Sequence, residues 1–369
     1  MTAPRVVVAG GHSAGHIEPT MNFADALRRL EPAAEITALG TVRGLDTTLI
    51  PARGYPLELI PPVPLPRTVN RDLLRAPGRL RDSVRAAGAV LDRVRAEVVV
   101  GFGGYVAAPA YLAARRRGLP IVVHEANARA GAANKLAARM TTHVFTAGPK
   151  VRLAHATAIG IPLRPAITGL DRPALRDTAR QRFGLRPGGP VLMVTGGSQG
   201  ARTINAAVSG AAAALRAAGV QVLHVTGPRH VVEVPDGDHA DPPYVVVPYV
   251  DEMRYAYAAA DFVICRSGAM TCAELAAVGL PAAYVPLPAR GGEQRLNAGP
   301  VVAAGGALLV DDAGLDAAWI ETTLLPVLTD PGRIAAMSAH ASAAGAPDAD
   351  VVLARHVLTA ISDRRAAAR

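Results

Sequence analysis

The chain has 369 residues, half of them hydrophobic and 19% charged, which is enough apolar mass for packed cores and too much for a disordered chain. Its length fits two domains of about 150–200 residues each. The net charge is +9, and all cations but Lys135 and Lys150 are arginines, a balance that favours phosphate or an anionic membrane as partner. An aromatic content of 4% and the lack of any RNA- or DNA-binding motif argue against nucleic acid.

In chain order, Arg5–Gly11 (RVVVAGG) reads as a β-branched strand running into a glycine turn. HSAGH follows, and then a helical pattern over Thr20–Leu30. Further strands are predicted at Glu35–Leu39, Glu97–Gly101, Ile121–His124 and Thr142–Thr146. The uncharged run Val98–Ala114 is broken by Gly101, Gly103, Gly104 and Pro109 and falls short of about 18–20 residues, so it reads as strand, loop and helix start, not as a membrane span. The Pro- and Arg-containing stretch Ile161–Pro173 reads as a linker.

The opening then repeats half a chain length later. Gly189–Gly197 (GPVLMVTGG) is again strand and glycine turn, followed by SQGA and one helix over Thr203–Ala218. Strands are predicted at Gln221–Thr226, Tyr244–Val247, Phe262–Cys265, Ala282–Val285 and Ala307–Val310. The last helix, Asp350–Ile361, is predicted to cross back onto the first lobe. The pattern gives an α/β fold: two Rossmann-like lobes facing a cleft, over residues 1–163 and 164–344, with the helix 345–369 returning to the first.

Several local patterns admit two readings. The glycine turns match neither strict GxGxxG nor GxxxxGK[ST], and the following strands end in ALGT and HVTG without the acidic residue a dinucleotide ribose requires. A glycine turn at a helix start suits phosphate, although tight strand-to-helix packing alone also explains it. Gly196–Gly200 fits the GxSxG of a hydrolase elbow, without an HGGG-type oxyanion segment. Asp236-Gly237-Asp238 has DxD form in a Pro- and Gly-rich stretch that reads as a solvated turn, with His230 and His239 as loop residues. His16 is either a base or a helix-start hydrogen-bonding residue. Glu274 is either a ribose ligand or the partner of Thr271 in a capping box. Cys265 and Cys272, the only cysteines, fit neither a CxxC nor a zinc set, and with no signal-peptide pattern at the start they predict a reducing cytosol.

Taken together in this order, GGHSAGHIEP (Gly10–Pro19), GFGGY (Gly101–Tyr105), HEAN (His124–Asn127), ANK (Ala133–Lys135), IPLR (Ile161–Arg164), GGSQGAR (Gly196–Arg202), PYVDEM (Pro248–Met253), RSGAMTCAE (Arg266–Glu274) and GEQRLNA (Gly292–Ala298) resemble the MurG family over nearly the whole chain. The resemblance implies a GT-B fold and an inverting transfer of N-acetylglucosamine from UDP-N-acetylglucosamine to the muramoyl C4 hydroxyl of undecaprenyl-linked lipid I, forming lipid II for peptidoglycan. It implies His16 as base, with Glu125 or a water held by Asn127 as the alternative. Ser13, Ala14 and Gly15 belong to the donor-contacting first turn, Asn127 meets sugar hydroxyls and Arg164 the donor. Ser198 holds phosphate, Val250 pairs with uracil through its backbone, and Ala269, Met270, Thr271 and Glu274 wrap the nucleotide. Gln294 reads the sugar, and Tyr105, Glu125 and Asn134 line the acceptor side.

No cofactor or tightly bound metal is implied. The implied place is the cytoplasmic face of the cell membrane, held peripherally on anionic lipid. For that contact the segment Leu65–Arg95 offers Arg67, Arg71, Arg75, Arg79, Arg81, Arg85, Arg93 and Arg95 around Leu73, Leu74, Leu80 and Val84. The serine-containing first loop, Ala126 within HEAN and the ARGGE lead-in to Gln294 depart from the family pattern. They leave open another lipid-linked or secondary-metabolite acceptor, or a non-catalytic nucleotide-sugar- or membrane-binding module.

Overall fold

A computed structural model describes residues 3–63, 71–235, 237–238, 240–288 and 292–367, with backbone alone over 71–75. The chain forms two compact units, Met1–Leu163 with Pro347–Arg369, and Arg164–Ala346. In the first unit the order is β1 (Arg5–Gly10), α1 (Ala14–Leu30), β2 (Glu35–Gly40), α2 (Asp46–Ala52), β3 (Leu57–Leu59), α3 (Arg71–Arg93), β4 (Val98–Gly103), α4 (Ala107–Arg116), β5 (Ile121–Glu125), α5 (Ala132–Ala137), β6 (Val144–Thr146) and β7 (Ala156–Ala158). The second unit runs α6 (Pro165–Thr168), α7 (Arg172–Arg182), β8 (Val191–Thr195), α8 (Arg202–Gly210), α9 (Ala212–Ala217), β9 (Gln221–Val225), β10 (Tyr244–Val247), α10 (Met253–Ala259), β11 (Phe262–Cys265), α11 (Ala269–Ala277), β12 (Ala282–Tyr284), α12 (Glu293–Ala303), β13 (Ala307–Leu309), α13 (Ala317–Trp319), α14 (Leu325–Leu328) and α15 (Pro331–Ala343). The last helix, α16 (Ala349–Ala367), belongs to the first unit.

Both sheets are parallel. Their orders are β3-β2-β1-β4-β5-β6-β7 and β10-β9-β8-β11-β12-β13. Sheets covered on both faces need strands that are apolar throughout, and Val6–Val8 and Val98–Val100 are almost wholly buried, as are Val191–Val194. The strand order reverses between β1 and β4 in one sheet and between β8 and β11 in the other. At such a switch point successive helices leave on opposite faces, which opens a crevice at the strands' C-terminal ends. The segments that follow these four strands are Gly11–Ser13, Gly104–Tyr105, Gly196–Gly200 and Arg266–Gly268, drawn from the motifs singled out above.

Local departures from the expected pattern have local causes. Helix α1 begins six residues before the predicted Thr20, with Pro19 inside it. The expected helix Thr203–Ala218 is two, α8 and α9, interrupted at Ala211 just after Gly210. The linker stretch Ile161–Pro173 contains α6 and the start of α7, because Pro165 and Pro173 sit in first helical turns, where a missing N–H costs nothing. Short strands β3 and β7 went unpredicted; at three residues each they carry no readable period.

Helix α16 lies along α1. Leu353, Val357 and Ile361 share a core with Ile17, Met21 and Leu27, and Arg29 pairs with Asp350 at 2.6 Å. Further on, Arg365 donates to both oxygens of Glu97 at 2.8 Å, beside the Arg5 backbone amide on the same carboxylate at 3.0 Å. Along α3, Val84 is 2% exposed and Leu80 packs against the same core, so these two side chains hold the helix to its own unit and are not lipid anchors. Arg81 and Arg85 point outward. Arg67 lies outside the described residues, as do the side chains of Arg71, Leu73, Leu74 and Arg75. Among the described residues no helix is long and apolar enough to cross a membrane. Leu353 is fully buried, so Leu353→Ala should lower stability by roughly 2–5 kcal/mol in a denaturant titration of the whole chain, the scale of a leucine-sized cavity.

Candidate functional site

In the first unit the turn after β1 places Ser13 at the N-cap of α1 and His16 in its first turn. The Ser13 hydroxyl lies 3.1 Å from His16 Nδ1, and the His16 carbonyl accepts from Thr20 Oγ1 at 2.6 Å. Ala14 and Gly15 between them are exposed. The imidazole lies over the end of β4: a Cβ on Gly103 would stand 3.1 Å from His16 Cδ2 and 3.2 Å from Nε2, so only glycine fits there. Nε2 meets no hydrogen-bonding protein atom among the described residues. In the tautomer that carries its proton on Nδ1 and donates it to Ser13, the Nε2 lone pair is left to accept a proton. Burial, and then the neighbouring His12, pull the His16 pKa below its ordinary 6.5.

Beneath this turn lies a buried polar chain. Tyr111 Oη donates to Asn134 Oδ1 at 2.8 Å, and Asn134 Nδ2 donates to the His124 carbonyl at 3.1 Å and to Glu125 Oε2 at 3.0 Å. Glu125 also accepts from the backbone amides of Asn127 (3.0 Å) and Gly131 (2.9 Å) and from Asn127 Nδ2 (3.5 Å). With both oxygens engaged, Glu125 holds the HEAN loop in place and is poorly disposed to act as the base. Asn127 itself is half-buried at the rim. Tyr105 is exposed and meets the His12 ring edge-on, with centroids 5.2 Å apart.

In the second unit the turn after β8 is Gly196–Gly200. Ser198 is exposed at its apex, and among the described residues no histidine bonds to it, unlike the serine of a hydrolase elbow. Gly200 sits against the next strand's turn: a Cβ there would come within 2.1 Å of the Thr226 carbonyl. That carbonyl accepts from Asn205 Nδ2 at 3.1 Å. His224, pushed down to about 4 by burial and so neutral, bridges Asn205 Oδ1 (3.1 Å) and Tyr244 Oη (2.8 Å).

Helix α11 follows β11 with Gly268 as its N-cap. The first backbone amide it satisfies internally is that of Cys272, on Gly268 O, so the amides of Ala269, Met270 and Thr271, at the positive end of a nine-residue helix, have no partner among the described residues. Because the helix begins at Ala269, Thr271 is not its cap, and the capping-box reading of Thr271 and Glu274 does not hold. Glu274 instead accepts from Tyr257 Oη at 2.8 Å; burial, and then the carboxylate, raise the Tyr257 pKa well above its ordinary value, so the phenol remains the donor. Val250 is buried, yet its backbone amide and carbonyl make no hydrogen bond with the described residues. Gln294 Oε1 accepts from the Leu287 amide at 2.9 Å and ties α12 to the loop after β12. Arg164 is the N-cap of α6, its side chain exposed. Asp236 and His239 lie outside the described residues. Among those described, no group of three or more His, Cys, Asp or Glu is set to hold a metal ion. Tyr257 and Tyr111 had not been singled out in the sequence, because each acts through a partner distant in the chain.

Two glycine turns at the switch points of two parallel sheets, one beside a histidine and one beside an open helix N-terminus, are the architecture of a two-unit glycosyltransferase. Residues 6–146 match the glycosyltransferase family 28 N-terminal domain and residues 191–353 its C-terminal domain. The UDP-N-acetylglucosamine–N-acetylmuramyl-(pentapeptide) pyrophosphoryl-undecaprenol N-acetylglucosamine transferase of Mycolicibacterium smegmatis is 58% identical, over 93% of this chain and 91% of its own. The enzyme of the same name from Rhodococcus opacus is 57% identical over 98% and 97%. The crystal structure of Acinetobacter baumannii MurG superposes with a TM-score of 0.78 at 25% identity, covering 98% of this chain and 99% of that one. The chain belongs to the MurG family, with the GT-B fold.

Two outcomes test the site. Glu274→Ala should weaken UDP binding by roughly 1–3 kcal/mol and Tyr257→Phe by about 0.5–1.5 kcal/mol, with the Tyr257→Phe loss vanishing for 2′,3′-dideoxy-UDP in calorimetric titration. Because the His16 pKa is depressed, its neutral form persists as pH falls past 6.5, so the acid limb of kcat/KM should lie below that value.

Proposed function

We propose that the chain transfers N-acetylglucosamine from UDP-N-acetylglucosamine to the muramoyl C4 hydroxyl of undecaprenyl-linked lipid I, releasing UDP and forming lipid II for peptidoglycan. Family membership at 57–58% identity over almost the full length supports this reaction over a non-catalytic module or a different acceptor. The observation that carries the mechanism is His16 itself: an imidazole fixed through Nδ1 with Nε2 open. As the acceptor oxygen attacks the anomeric carbon, its proton passes to Nε2, and inversion follows from the direct displacement.

The second unit supplies the leaving-group side. UDP departs with its charge spread over the diphosphate. The open amides of Ala269, Met270 and Thr271 and the Ser198 hydroxyl are suited to receive those oxygens. The backbone of Val250 offers one donor and one acceptor to a uracil edge, the Glu274 carboxylate is suited to the ribose hydroxyls, and Gln294 and Arg164 are assigned to the sugar and donor by the family resemblance, as is Asn127 of the first unit. These groups stabilise the departing charge without a resident metal, so activity should survive EDTA.

The acceptor's lipid tail stays in the bilayer, so the enzyme works at the cytoplasmic face as a peripheral protein. Arg81 and Arg85 on the outer side of α3 are suited to anionic headgroups, each cation adding about 1 kcal/mol near such a surface. Co-sedimentation with anionic vesicles should fall with salt and drop for Arg81→Ser/Arg85→Ser.

The deciding assay uses UDP-N-acetylglucosamine and a short-chain lipid I analogue. His16→Ala should lower turnover by about 10²–10⁴ with UDP affinity nearly unchanged. Wild-type turnover in that variant overturns His16 as the base, and a complete loss with EDTA that magnesium restores overturns the metal-free reading.

A further inference from the structure

The turn that carries His16 contains a strained residue. His12 has φ +79°, a left-handed conformation that costs an ordinary side chain about 1–2 kcal/mol and persists only where its surroundings impose it. What imposes it is Asp46, the first residue of α2, whose side chain is fully buried. One of its oxygens accepts the backbone amide of His12, and the other accepts the amide of Thr41 at 2.8 Å, with the Thr41 hydroxyl 3.3 Å away and shared with the Arg43 carbonyl at 2.9 Å. No cation pairs with this carboxylate among the described residues; backbone amides hold it.

The fit around Asp46 is close on every side. A Cβ on Gly11 would stand 3.0 Å from both carboxylate oxygens, and one on Gly40 3.0 Å from Asp46 Cβ. The segment leading into Asp46 clamps the same residue from its other end, since the Leu45 amide donates to the His12 carbonyl at 3.2 Å. Both ends of the His12 peptide unit are thereby fixed by the loop between β2 and α2. Ser13, the next residue, stands at the N-cap position of α1, and its hydroxyl turns to His16 Nδ1 instead of a backbone amide.

We propose that Asp46 is a positioning residue for the transfer reaction: it holds His12 in its left-handed conformation and so sets Ser13 and, through it, the orientation of the His16 imidazole that proton acceptance at Nε2 requires. The inference rests on His16 being the base. Asp46 touches no substrate; it acts through two backbone links and one side-chain hydrogen bond. A displacement of about 1 Å at a reacting group can cost 10²-fold in rate, so the expected effect falls on kcat, with UDP affinity kept because the groups assigned to uracil, ribose and diphosphate lie in the second unit.

Asp46→Asn keeps the shape but turns one acceptor oxygen into an NH2 that faces an amide N–H. Turnover with the lipid I analogue should fall about 10–10²-fold, with the UDP dissociation constant within twofold of wild type. Glycine adopts φ +79° without the cost, so the loss caused by Asp46→Asn should shrink to within about threefold when measured in a His12→Gly background. A general loss of stability would not be relieved by glycine at that one position. If Asp46→Asn does not fold, Thr41→Val, which deletes one donor to the carboxylate, gives the same comparison in the two backgrounds. An equal loss in both backgrounds, or a fall in UDP affinity matching the fall in turnover, overturns the proposal. His16→Ala run in parallel separates the two readings: wild-type turnover there defeats the base assignment, whereas an inactive His16→Ala beside a fully active Asp46→Asn defeats the role of Asp46 alone.

Discussion

Everything functional in this chain depends on where a parallel sheet reverses its winding direction. At the β1/β4 and β8/β11 boundaries the strands end side by side while their following helices turn to opposite faces. The backbone amides at those strand ends and helix starts have no partner within the sheet or the helix, and they collect in one place. Two consequences follow in each unit. The turn must approach its neighbour closely, so it is built of glycine; and it presents open N–H groups, so it suits an anion or a helix-capping side chain.

The two units use the same geometry for different chemistry. In the second, the positive end of α11 stays open and the adjoining groups, Ser198 and Glu274, are hydrogen-bonding oxygens. In the first, Ser13 occupies the helix start and its hydroxyl turns to His16 instead of a backbone amide, as the lack of a side-chain cap bond records. One turn is therefore suited to phosphate and the other holds an imidazole. Each is braced from below by a buried polar chain: Tyr111, Asn134 and Glu125 under one, Tyr244, His224 and Asn205 under the other. In a low-dielectric interior such chains are stable only when their donors and acceptors are matched, which makes them rigid supports.

Rigidity of this kind bears on the reaction class. A displacement at an anomeric carbon has little covalent chemistry for the protein to perform; orientation and charge stabilisation supply the rate. The strain at His12 and the glycine contacts at Gly11 and Gly103 show where the fold accepts an energetic cost to place one ring.

The class of fold and the family were legible in the sequence alone, and its motifs named the residues of the candidate site. Short apolar runs such as Val6–Val8 and Val191–Val194 read as strands buried on both faces, and a glycine pair after each, half a chain apart, announces a duplicated βα opening. The ordered motifs then carried the family resemblance. Tertiary structure decided what those residues touch. Thr271 and Glu274 have capping-box spacing, yet the helix starts at Ala269 and Glu274 is held by Tyr257 from α10. Leu80 and Val84 stand among arginines in the sequence, yet they face the core, because one side of an amphipathic helix must pack inward. Asp46 carried no motif at all: its importance arises from the amides of His12 and Thr41, and hydrogen bonds between separate loops leave no periodic trace in a sequence.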